Sequence, residues 1–125
     1  STLMLAGIRE ILVISTPRDL PMIRALLGDG SDYGLALHYA EQPRPEGIAQ
    51  AFHLGASFLD GSPSALILGD NLFYGNEMIP VLEQAGGIKK GACVFGYQVQ
   101  DPEMVGAKQF LQVIPIANQP DEPHL

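Results

Sequence analysis

The sequence predicts an α/β domain in three layers, a mostly parallel sheet with helices packed on both faces. Short apolar or alternating runs of strand length recur along the chain, and stretches with helical spacing separate most of them. The size agrees: 125 residues, 46% of them hydrophobic and 17% charged, form one core and not two.

Residues 1–7 read as the last turns of a helix, with Gly7 as its stop. The β-branched run Glu-Ile-Leu-Val-Ile-Ser-Thr over 10–16 is the first strand, and Pro17 ends it. A helix is expected over 19–27, with Asp19 as N-cap, an apolar face of Leu20, Ile23, Leu26 and Leu27, and Gly28 as stop. Residues 35–41 form the second strand, with His38 and Ala40 on one side and Leu37 and Tyr39 on the other. A loop over 42–47 carries two prolines, which fix the backbone at low entropic cost, and leads into a helix over 48–59. In that helix Gly55 thins one face.

The run Ala-Leu-Ile-Leu at 65–68 suits a strand buried on both faces, ending at Gly69. A helix over 78–85 tolerates Pro80 only in its first turn. Residues 92–99 are the fourth strand, 110–116 a further apolar run broken at Pro115, and 118–125 a tail.

Seven basic against fourteen acidic residues give a net charge of −7, which argues against a general nucleic-acid binder. A single nucleotide remains compatible with that charge, because a few backbone N–H donors or a metal can hold its phosphates. No GxGxxG, no GxxxxGK[ST], no zinc spacing and no Ser-His-Asp order occurs. Cys93, the only cysteine, reads as a small buried hydrophobe in a chain of a reducing, cytoplasmic setting. No apolar run reaches membrane-spanning length.

In a parallel sheet the carboxyl ends of the strands share one rim, where ligands bind. Three loops fall there: Thr16-Pro17, residues 42–47, and Gly69-Asp70-Asn71. The Gln42 amide offers the donor and acceptor needed to read a nucleobase edge. Pro45 and Gly47 supply a flat wall. Asp70 either holds a hard cation such as Mg²⁺ or caps a turn. Asn71 has a donor and an acceptor for a sugar hydroxyl or phosphate. Arg44 and Glu46 read as solvent-facing, and neither His38 nor His53 has a visible catalytic partner.

The core Gln-Pro-x-Pro-x-Gly-x-Ala-Gln-Ala at 42–51, together with Leu-Gly-Asp-Asn-x-Phe-Tyr-Gly at 68–75, closely resembles the glucose-1-phosphate thymidylyltransferases of the sugar-phosphate nucleotidyltransferase family. Residues 1–16, 26–30 and 91–103 match as well, so the resemblance covers roughly 1–106. It implies a Rossmann-like nucleotidyltransferase core and transfer of dTMP from dTTP to glucose-1-phosphate, giving dTDP-glucose and pyrophosphate. It also implies that Gln42, Pro45 and Gly47 meet the pyrimidine base. Asp70 would hold Mg²⁺ beside the nucleotide phosphates, and Asn71 and Gly106 would contact the sugar.

The departures set further expectations. The family's opening strand, its Gly-Gly-x-Gly-Thr-Arg phosphate loop and the following Pro-Lys element precede the point where this sequence starts. Beyond Gly106 the family's Tyr-Gly-Val-Val-Glu-Phe becomes Val-Gly-Ala-Lys-Gln-Phe. The expected organisation is a partial core over 1–106, lacking the first strand, and a divergent strand and tail over 107–125. Transfer by this short chain is then expected to be impaired or lost. The alternative is a non-catalytic nucleotide-binding or dimeric interaction module, with strand edges left open by the missing strand favouring a homodimer.

Overall fold

A computed structural model describes residues 2–69 and 78–95 of the chain. The chain divides into two compact units, Ser1–Asp60 and Gly61–Leu125.

The first unit begins with α1 (Thr2–Leu5), which closes at Gly7 through bonds from Gly7 N–H to the Met4 carbonyl and from Ile8 N–H to the Leu3 carbonyl, both 3.0 Å. Strand β1 (Glu10–Ser15) follows, then α2 (Leu20–Leu27) and strand β2 (Ala36–Glu41). The two strands are parallel, paired from Glu10↔Ala36 to Ser15↔Glu41. Parallel neighbours need a crossover between them, and α2 supplies it. The chain then forms α3 (Gln50–Leu54) and α4 (Ala56–Leu59).

Side chains alternate across a strand, so the expected division of β2 into two faces can be followed by contact. Tyr39 faces α2: its ring lies 4.9 Å from the Arg24 guanidinium carbon, and its hydroxyl donates to the Gly28 carbonyl at 2.6 Å. His38 lies on the other face, its ring 5.2 Å from that of Phe58 in α4, with Nε2 3.4 Å from the Glu10 carboxylate. Leu12, the register partner of His38, meets Gly55 on that same face. With α2 on one side and α3 and α4 on the other, the unit has the helix–sheet–helix layering of an α/β fold.

Several expectations need correction. On α2, Leu20 is buried and Ile23 and Leu27 half-buried, but Leu26 is 76% exposed. The buried stripe runs through 20, 23 and 27, and Leu26 falls beside it with Met22. Asp19 makes no side-chain cap bond. Thr16 does that work: its hydroxyl oxygen accepts the Asp19 N–H at 3.1 Å and its hydroxyl donates to Asp19 Oδ2 at 3.0 Å. The helix expected over 48–59 is two short helices parted at Gly55, which is buried. A Cβ built there would lie 3.1 Å from Leu12 Cδ2, so the missing side chain lets the helical segment approach β1.

In the second unit, α5 (Met78–Gly86) buries Leu82 and Ala85, three residues apart on one face, and keeps Pro80 in its first turn as expected. Residues 65–68 are half-buried but have no regular secondary structure, which corrects the strand expected there. A strand requires a neighbour to take up its backbone bonds, and among the described residues the sheet holds β1 and β2 alone. Of the strand expected over 92–99, residues 92–94 are irregular, Phe95 makes an isolated bridge, and the remainder lies outside the described residues. Among the described residues, no helix is long and apolar enough to cross a membrane.

Candidate nucleotide-binding loop

The site grows from the carboxyl ends of β1 and β2. Past the last register pair, Ser15↔Glu41, the Gln42 N–H donates to the Ser15 carbonyl at 2.8 Å, so the ladder fixes where Gln42 stands. Thr16 begins the turn into α2 beside it. Two of the three loops expected at one rim, that of Thr16-Pro17 and that of 42–47, therefore lie together. Gly69 belongs to the second unit, and Asp70, Asn71 and Gly106 lie outside the described residues.

The loop from Gln42 to Gly47 is tied to α3 by side-chain bonds. Gln42 Nε2 donates to Gln50 Oε1 at 2.6 Å, and the backbone N–H of Glu46 donates to the same oxygen at 3.1 Å. Gln50 Nε2 in turn donates to Glu46 Oε2 at 3.2 Å. Gln42 and Gln50 are half-buried, whereas Pro45, Glu46 and Gly47 are exposed. Gly47 has φ of +100°, a conformation side chains rarely adopt, and, its chain neighbours aside, no atom of the described residues lies within 4 Å of where its Cβ would stand. Its carbonyl accepts the Gln50 N–H at 3.3 Å, which closes the turn into α3.

Sequence reasoning missed Gln50 and gave Glu46 no role. The signal was present, since both belong to the motif at 42–51, but the motif says which residues recur and not which side chains meet. Pro45 and Gly47, expected to form a wall, are exposed on the same loop as Gln42. On the α2 face of the sheet there is also a concavity of about 370 Å³, lined by Leu20, Pro21, Arg24, Ala25, Tyr39 and Glu41.

Away from the rim, after α2, the Asp29 carbonyl accepts the N–H of Leu37 near the start of β2. There the Ser31 hydroxyl and backbone N–H hold the Asp29 carboxyl below its ordinary value. Among the described residues, no three His, Cys, Asp or Glu side chains gather to hold a metal ion.

A nucleotidyl transferase family model matches residues 1–124. This chain belongs to that family. It is 48% identical over 126 aligned positions to a glucose-1-phosphate thymidylyltransferase of Xanthomonas campestris, covering 98% of this chain and 43% of the relative. It is 49% identical to one of Neisseria gonorrhoeae, again over 98% of this chain and 44% of the relative. In three dimensions it is similar to a crystal structure assigned to a glucose-1-phosphate thymidylyltransferase of Bacillus anthracis in complex with a sucrose. That likeness has a TM-score of 0.73 at 27% identity and covers 95% of this chain and 50% of the other. The chain thus spans about half the length of the family members it matches or less, and its α/β fold is that of the nucleotidyltransferases.

Proposed function

We propose that this chain carries the nucleotide-binding side of a glucose-1-phosphate thymidylyltransferase, which moves dTMP from dTTP to glucose-1-phosphate and releases pyrophosphate. The observation that supports this most directly is the loop from Gln42 to Gly47. It stands at the carboxyl ends of parallel strands, where α/β folds bind ligands, with an amide held in place and an unobstructed glycine beside it. Gln42, Pro45 and Gly47 form the base side of the site in this reading. Asp70 would hold Mg²⁺, whose preference for oxygen donors a carboxylate meets, and Asn71 and Gly106 would contact the hexose. The metal would draw charge from the phosphates.

The test is pyrophosphate release from dTTP, glucose-1-phosphate and Mg²⁺, with Asp70→Ala as control. Release that Asp70→Ala abolishes supports the transferase reading. A thermal shift with dTTP but no pyrophosphate would leave a nucleotide-binding module, and neither response would reject both. Sedimentation of the same sample tests whether the chain pairs as a homodimer.

A further inference from the structure

We infer that Glu46 and Gln50 are positioning residues that set which end of the Gln42 amide faces the base, and thereby which pyrimidine is accepted. This deepens the base-binding reading and rests on it.

A glutamine amide has a donor end and an acceptor end of nearly equal size, so its partners decide which way round it sits. Gln50 has two partners that cannot be reversed. The backbone N–H of Glu46 can only donate, and it points to Gln50 Oε1 at 3.1 Å. The Glu46 carboxylate can only accept, and it lies 3.2 Å from Gln50 Nε2. Both constraints orient Gln50 the same way. Its Oε1 is then an acceptor toward Gln42, and Gln42 must answer with Nε2, at 2.6 Å.

That bond uses one N–H of Gln42. Its Oε1 and second N–H have no partner among the described residues; with Gln50 taking the N–H trans to Oε1, the cis N–H is left as a donor beside that acceptor. Such a pair complements a ring N–H next to a carbonyl, the N3–H edge of thymine or uracil. Cytosine carries an acceptor at N3 and an amino group beside it. In the same seat it would place acceptor against acceptor and donor against donor, and a site with its polar groups mismatched rejects a ligand strongly. Without Gln50 the Gln42 amide could turn over and serve either base.

The experiment is calorimetric titration of the chain with dTTP and with dCTP, alongside ¹⁵N spectra of the glutamine side-chain amides. The unmodified chain should prefer dTTP by about tenfold or more, in the range of a well-placed bidentate contact. Gln50→Leu should bring the two affinities within about threefold, with a change in the Gln42 side-chain amide resonances. Gln50→Lys, which presents only donors, should abolish or reverse the preference and serves if the leucine variant does not fold. Gln50→Glu combined with Glu46→Gln, which keeps an acceptor toward Gln42 and puts a donor where the Glu46 carboxylate stood, should retain most of it. An unchanged preference in Gln50→Leu or Gln50→Lys overturns the inference and leaves Gln42 as a base contact. Binding of neither nucleotide by the unmodified chain overturns the base-binding reading, and this inference with it.

Discussion

A Cβ built on Gly30 would lie 2.6 Å from Leu37 Cγ and 3.0 Å from the Leu35 carbonyl oxygen. Gly30 is buried and has φ of +84°, so it is both conformationally and sterically committed to the turn that sends the chain into β2. Gly34, four residues on, has φ of +70° but open space around it. The pair separates two costs. Gly34→Ala should lose only the left-handed backbone term, about 1–2 kcal/mol. Gly30→Ala adds overpacking against Leu37 and should lose roughly 2–4 kcal/mol. Urea unfolding followed by circular dichroism gives both midpoints, and equal losses would show that Leu37 moves aside.

Tyr39 joins β2 to the end of α2 through a hydroxyl bond to the Gly28 carbonyl and a ring under Arg24. The bond is exposed, so Tyr39→Phe should cost only about 0.5–1 kcal/mol. Arg24→Ala should cost a similar amount, about 0.5–1 kcal/mol, from the cation–ring contact. Because both residues brace one corner, the double variant should fall short of the sum of the two. Thermal melts of the four proteins measure that coupling.

Asp29 predicts a dependence on acid. Its carboxyl is held below the ordinary value of 3.8, first by the Ser31 hydroxyl and then by the Ser31 backbone N–H. A depressed carboxyl means that the unfolded chain binds the proton more readily. The stabilisation is therefore complete above the ordinary aspartate value and is lost as the pH falls through the lowered one. Ser31→Ala removes the larger cause, so the Asp29 titration followed by carbon NMR should move up toward its ordinary position. An unmoved titration would mean that the backbone N–H alone holds it.

Much of the first unit was legible because its determinants are local. Alternation in 35–41 assigned Tyr39 and His38 to opposite faces, and Arg24 and Phe58 now mark those faces. Helical spacing located α2 but overcounted its buried stripe, since periodicity cannot say how wide a face the sheet will cover; Leu26 stayed in solvent. Thr16 and Asp19 were both visible as polar residues near a helix start, yet only geometry shows which one caps. The run at 65–68 has the composition of a strand, but composition gives a segment and pairing makes the strand. At the rim, Gln42 could be chosen by its chemistry and its place after a strand. Gln50 could not, because its importance lies in contacts across a turn with Gln42 and Glu46, which no spacing rule encodes.

In the proposed reading, the bond between the Gln42 N–H and the Ser15 carbonyl ties base recognition to strand alignment. Moving β2 by a single residue would send every side chain of that strand to the opposite face and take the Gln42 amide away from its seat. In that reading, a substitution that loosens the alignment, such as one crowding the Gly30 turn, would disturb base choice as well as stability. Errors in reading a nucleotide could thus begin in the hydrophobic interior.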